Sequence, residues 1–240
     1  MHATTIVSVV LTTLLASVRA QNITTGELGN ATVVDNNPPG ATYLAVLPEK
    51  QFFNPSDPRG NVKGSVSATA SPDGIGVVYS VSLSNFPTSG GPFTYHLHVD
   101  PVPADGNCTK TLAHLDPFIR GEVVACDPKL PQTCQVGDLS GKYGKVTNGS
   151  LVQTYTDLFS STRPGLGSFF GNRSITFHFA NKTRITCANF TLLGSATIPP
   201  STGSNTSATA TPTVVFAGLG ARNMASAGMA LGAAALALLL

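Results

Sequence analysis

The chain has no tryptophan and little charge. Only 11% of its 240 residues are Asp, Glu, Lys or Arg, and the formal net charge is +2. A nucleic-acid surface needs a basic run with interleaved aromatics, and none is present. No glycine-rich loop opens a helix to cradle a phosphate. Long apolar stretches with helical periodicity are also missing from the body of the chain, which argues against a helical domain. Histidine is rare, five residues in all, and so is cysteine, four residues. What these few residues do is the central question.

The two ends read as addresses. Residues 1–20 hold the apolar run "IVSVVLTTLLA" and the small-residue pattern Val18-Arg19-Ala20, the form of a signal peptide whose removal leaves Gln21 first. At the other end, "SATIPPSTGSNTSATATPT" cannot build a core and reads as a Ser/Thr/Pro-rich stalk over 196–216. Small residues follow (Ala217, Gly218, Gly220, Ala221), then "MALGAAALALLL". Small site, spacer and apolar tail form the pattern of a GPI signal over 217–240, with Gly218 the expected attachment residue and Asn223 next. A tail-anchored helix is the alternative. Eight N-x-S/T sequons, at Asn22, Asn30, Asn107, Asn148, Asn172, Asn181, Asn189 and Asn205, are coherent with export.

Residues 41–195 remain as the folded body, enough for one domain with a core. Short alternating runs recur there: "ATYLAVL", "GSVSATA", "GVVYSVSL", "FTYHLHV", "SITFHFA" and "RITCANFTLL". Turn material such as "NPSDPRG", "SPDG" and "TSGGP" separates them. The pattern predicts an all-β sandwich or barrel. Residues 21–40, with "VDNNPPG", read as a flexible leader. Cys108, Cys126, Cys134 and Cys187, an even count in an exported chain, predict two disulfides. Three pairings are possible; the favoured one closes the short Cys126–Cys134 loop and ties Cys108 to Cys187. A cysteine metal site is the rival, but no C-x-x-C pair is present.

With His2 in the signal peptide, four histidines remain: His96, His98, His114 and His178. In "TYHLHV" strand alternation puts His96 and His98 on one face, about 7 Å apart at Cα. Tyr95, Leu97 and Val99 take the other. In "SITFHFA" His178 and Thr176 oppose Ile175, Phe177 and Phe179. Each strand can pack its apolar side inward and present imidazole outward. Four neutral imidazoles suit copper, because nitrogen donors in a tetragonal arrangement favour Cu(II). A lone strand histidine is more often a surface or satisfied core residue, so convergence of all four is what the structure must show.

"YHLHV", "DGNC", "AHLDPF", "QVGDLSGKYG" and "SITFHFANKTRITCANF" occur in that order. Together they resemble the copper/zinc superoxide dismutase family across nearly the whole body. The resemblance implies a Greek-key β-barrel, copper ligands at His96, His98, His114 and His178, the family disulfide at Cys108 and Cys187, and a catalytic arginine at Arg184. It implies superoxide as substrate and His114 as the ligand that moves in the cycle, with Asp138 and Gln135 the candidates to hold its second nitrogen.

Departures from the family narrow the expectation. The stretch "LDPFIRGEVVACDPKLPQTCQ" holds no histidine, and Gln135 stands where the last zinc histidine would precede V-G-D, so tetrahedral zinc cannot be satisfied. Only "FANKT" separates His178 from Arg184, too short for the family's electrostatic loop. These departures, with the Cys126–Cys134 pair and the tail, resemble the copper-only branch of fungal cell surfaces, which usually carries glutamate at the position of Gln135. The expectation is a copper enzyme without zinc, anchored at the cell membrane or wall, monomeric, with no nucleic-acid partner. Asp116 and Pro117 read as turn residues, Gly137 and Gly141 as backbone devices. A non-catalytic copper-binding or storage protein on the same fold is the alternative. A copper polysaccharide oxygenase would need histidine, not Gln21, at the mature terminus.

Overall fold

The computed structural model describes residues 26–194. The signal segment, stalk and tail, with Gly218, Asn22 and Asn205, lie outside the described residues. Eight strands form two antiparallel sheets. The strands are β1 (Thr42–Val46), β2 (Lys63–Ala70), β3 (Val77–Ser84), β4 (Thr94–His98), β5 (Leu151–Asp157), β6 (Ser174–His178), β7 (Arg184–Asn189) and β8 (Thr191–Gly194). Five pair in the order β5-β3-β2-β1-β8, and three in the order β4-β6-β7. One short helix, α1 (Leu139–Tyr143), and 3₁₀ turns at Cys108–Thr111 and Pro131–Thr133 complete the regular structure.

Alternation builds the core. Val77, Tyr79, Val81 and Leu83 of β3 face inward, meeting Tyr95 and Leu97 of β4 and Ile175 and Phe177 of β6 in one buried cluster. Each such side chain contributes about 1.5–3 kcal/mol by leaving water. The small sheet differs from an ordinary barrel wall, because β6 is buried at every position. The 3₁₀ turn at Cys108–Thr111 covers its outer face: Thr111 Oγ1 lies 3.3 Å from that of Thr176, and Cys108 is bonded to Cys187, the register partner of Thr176. The second disulfide joins Cys126 to Cys134.

Two expectations are corrected, and one strand is added. Residues 26–40 are not a loose leader in what is described. Val34 N donates to Leu158 O, and the buried Asn37 donates to Gly76 O and accepts from the Thr162 amide at 2.8 Å. The run "RITCANFTLL" splits at the buried Phe190 into β7 and β8. β5 escaped the sequence reading because "LVQTYTD" lacks a clean alternation: Gln153 sits on the inner side with Leu151 and Tyr155, while Val152 is 81% exposed.

The sequons differ in setting. Asn30, Asn148, Asn172 and Asn181 are exposed. Asn107 caps the 3₁₀ turn, and the Asn189 amide is tied to both backbone groups of Val102.

Candidate metal centre

Two adjacent strands and one loop bring the histidines together. β4 pairs with β6 so that His96 lies opposite Thr176 and His98 opposite Ser174, on the face away from the core. His178 ends β6. The loop after β4 returns to it at an isolated bridge between His98 and His114. Gly137 secures that return. Leu97 N donates to Gly137 O, Gly137 N to Leu115 O, and Leu115 N to Leu97 O, all at 2.8–2.9 Å. A Cβ on Gly137 would stand 2.5 Å from the Leu97 carbonyl oxygen, so no side chain fits where the three segments meet. One candidate ligand nitrogen from each of His96, His98, His114 and His178 lies within 4.8 Å of the others. The imidazoles are covered by the loop rather than presented to solvent: His96, His98 and His178 are buried.

Hydrogen bonds settle which nitrogen each ring offers. His98 Nδ1 lies 2.9 Å from Leu112 O, and His178 Nδ1 lies 3.0 Å from Lys182 O. Carbonyls only accept, so both Nδ1 atoms carry the proton and both Nε2 atoms keep a lone pair. Those two Nε2 atoms face each other at 3.2 Å. Two lone pairs at that distance repel unless a cation lies between them. His114 Nδ1 donates to Gln135 Oε1 at 2.6 Å, leaving its Nε2 free. His96 does the reverse: Nε2 meets Ser140 Oγ at 3.3 Å and Asp138 Oδ1 at 3.5 Å, and Nδ1 is buried with no partner. An orphaned buried nitrogen beside three outward lone pairs fits a nitrogen-ligated metal, as expected where the other ring nitrogen is pinned by a carbonyl or carboxylate.

Electrostatics agree. Burial, then His114 and His178, lower the His98 imidazole to about 2. Burial likewise lowers His178 to about 4, and lowers His96 well below its ordinary value. The rings stay neutral and available as ligands.

Arg184, the register partner of His178, donates through both terminal nitrogens to the carbonyls of Cys108 and Leu112. Since Leu112 O also receives His98 Nδ1, one backbone oxygen joins arginine and imidazole. The site opens into a bowl of about 650 Å³, rimmed by Arg120, Glu122, Lys145, Lys182 and Arg184.

The structure separates two residues the sequence treated together. Gln135 holds His114, whereas Asp138 faces His96 and caps α1 through the Gly141 amide. It also adds groups the sequence reading missed. Asp116 is more than a turn residue: its carboxylate accepts from Gln135 Nε2 at 3.0 Å and so fixes which end of that amide meets His114. Glu122 stands 3.9 Å from His114 Nδ1 and pairs with Lys182. Its loop carries no motif that could have flagged it.

No family model matches the chain. Among curated proteins, the cell surface Cu-only superoxide dismutase of Arthroderma benhamiae is 44% identical over 215 residues, 76% of this chain and 56% of the relative. Cell surface Cu-only superoxide dismutase 5 of Candida albicans is 39% identical over 135 residues, 56% of this chain and 57% of the relative. The chain thus spans little more than half the length of these curated relatives. The solved Cu(II) structure of Candida albicans superoxide dismutase 5 is 35% identical with a TM-score of 0.55, and the match covers 65% of this chain and 94% of that one. The chain belongs to the copper-only cell-surface superoxide dismutase family.

Proposed function

We infer that the protein is a superoxide dismutase using copper without zinc at the cell surface. The observation that carries this reading is the convergence of four imidazole lone pairs, one of them a buried orphan, beside the Arg184 guanidinium. His96 would hold copper through Nδ1, and His98, His114 and His178 through Nε2. Copper, when bound, supplies a one-electron couple that oxidises one superoxide to dioxygen and reduces a second to hydrogen peroxide.

The chain's own groups do the rest. Arg184 carries a permanent charge at the mouth of the site and attracts an anion. Its two carbonyl contacts fix where that charge stands. Leu112 and Lys182 carbonyls hold the Nδ1 protons of His98 and His178, so these rings ligate and do not relay. His114 is the adjustable ring. Gln135 accepts from its Nδ1, so Nε2 is the nitrogen left to meet copper or a proton, and Glu122 Oε1 stands 3.9 Å from Nδ1. A zinc ion would need His114 Nδ1, which the Gln135 amide occupies, and the loop offers no second imidazole.

The test measures metal content and dismutation on one preparation loaded with copper and zinc together. One copper, no zinc and fast dismutation is the expected result; stoichiometric zinc would overturn it. Arg184→Ala separates an enzyme from a copper store. An enzyme keeps its copper and loses rate by roughly 10- to 100-fold, within the range that steering supplies.

The relatives are named for the cell surface, and the signal segment, stalk and tail support display here through a GPI anchor at Gly218. Release by a phosphatidylinositol-specific phospholipase tests the anchor. A monomer is the expected state, checked by sedimentation.

A further inference from the structure

The folded body holds very few side chains that oxidise easily. Tryptophan is absent from the chain, both cysteine pairs are disulfides, and the methionines, Met1, Met224 and Met229, lie outside the described residues. Thioethers and thiols are the usual sinks for oxidants. Beyond the imidazoles, that leaves the phenols of five tyrosines, and four of these lie together. Tyr79 and Tyr155 stack at 5.6 Å, and Tyr155 and Tyr143 at 4.1 Å with planes only 13° apart. The Tyr95 hydroxyl is held by Gln153 Nε2 at 2.6 Å and interacts electrostatically with Tyr155, whose own hydroxyl is buried without a hydrogen-bond partner. Packing does not explain the hydroxyls. Phenylalanine would fill the same space without burying polar atoms that then need partners.

The group touches the metal centre by two short routes, one covalent and one through a hydrogen bond. Tyr95 is joined by one peptide bond to His96. α1 carries Ser140, which meets His96, and three residues later Tyr143. At the far end the Tyr143 hydroxyl donates to Asp157 Oδ2 at 2.9 Å, inside a buried carboxylate site. A phenol that loses an electron becomes a strong acid, and a carboxylate already hydrogen-bonded to it can take the proton without movement. Tyr143 and Tyr155 are half-buried, so the outer end reaches solvent.

We propose that Tyr95, Tyr155, Tyr143 and Tyr79 form a relay that draws oxidising equivalents away from the histidine ligands, with Tyr143 and Asp157 as the site where electron and proton leave the phenol. The relay rests on the reading that the centre holds copper and makes hydrogen peroxide. Its chemistry balances as follows. Reduced copper held by His96, His98, His114 and His178 would supply one electron to hydrogen peroxide, whose O–O bond would break to hydroxide and a hydroxyl-radical equivalent. That equivalent takes one electron from the stack and becomes a second hydroxide. Tyr143 is left as a neutral phenoxyl radical, its proton on Asp157 and the copper as Cu(II).

The experiment treats the copper-loaded protein with hydrogen peroxide. It reads the radical by electron paramagnetic resonance and the modified residues by peptide mass spectrometry, against Tyr143→Phe, Tyr155→Phe and the double variant. Copper content and dismutation before peroxide confirm that each variant is folded. The relay predicts a tyrosyl signal and tyrosine oxidation in the parent protein. In the double variant the signal disappears, and oxidation of His96, His98, His114 and His178 rises several-fold. Oxidation confined to the histidines and unchanged by the Phe variants overturns the relay while leaving the copper enzyme intact. Failure of the parent protein to take up copper or to dismutate superoxide overturns the copper reading, and the relay with it.

Discussion

Asp157→Asn is the sharpest test of how the barrel holds α1 against the metal centre. Lys142 and Asp157 form an ion pair whose side chains are both 0% exposed. Lys142 Nζ also donates to Val136 O, and Asp157 accepts from the Tyr143 hydroxyl and from the amides of Phe159 and Ser160. Asparagine preserves the volume and the oxygen that receives the two amides, but it removes the negative charge and puts an NH2 donor where Lys142 and the Tyr143 hydroxyl now meet an acceptor oxygen. Lys142 is then a buried ammonium facing an amide. Breaking one side of a buried pair costs about 3–5 kcal/mol, against a total stability of about 5–15 kcal/mol. For a domain of this size each kilocalorie lowers Tm by about 2–4 °C, so a drop of roughly 6–20 °C is expected. Thermal and urea unfolding of the metal-free protein provide the assay. Adding Lys142→Met should recover about 1–3 kcal/mol, because the two positions act on one interaction. A single variant within about 1 kcal/mol of the parent would refute the reasoning, since surface-like substitutions behave that way.

Four further outcomes are expected. The metal-free protein should weaken as pH falls through 6.5. The unfolded chain then binds protons that the folded imidazoles refuse, with His178 held to about 4 and His98 to about 2. At pH 5, 1.5 units below the ordinary value, His98 alone accounts for about 2 kcal/mol, read as a shift in urea midpoint that copper should defer to lower pH. Gln135→Ala should lower copper affinity by about 10- to 100-fold, the usual effect of removing a group that orients a ligating histidine, measured by chelator competition. Replacing Cys108 and Cys187 together by serine, which opens a closure of 79 residues, should cost about 4 kcal/mol in urea unfolding. Gly137→Ala should destabilise the protein and impair copper retention together, because its methyl group would strike the Leu97 carbonyl.

The strands that carry the site were legible in the sequence, because "YHLH" and "SITFH" alternate apolar with imidazole and the alternation fixes both faces. Arg184 was legible only through the family resemblance; on its strand it reads as an ordinary surface cation. β5 was not legible, since its inward positions are Leu151, Gln153 and Tyr155, a mixture without hydrophobic contrast. The packing of Asn37 was hidden for a similar reason: "VDNNPPG" has turn composition, and only the tertiary fold supplies Gly76 and Thr162 as partners. Nor could spacing show that Asp116 orients Gln135, nineteen residues away. That contact depends on the path of a loop with no regular period.

The small sheet has its apolar side in the core and its other side under a disulfide-tied turn. Backbone protected on both faces opens only when the whole domain opens, so amides of β4 and β6 should be among the slowest to exchange with solvent. Three of the four imidazoles hang from that slow frame. His114 hangs from a loop that rejoins the sheet at one bridge. Motion at the centre is therefore expected to concentrate in one ring, which ring-resolved relaxation measurements on the four histidines would check. On that expectation the other three would keep their spacing while it swings, and the fold itself would decide which ligand can let go.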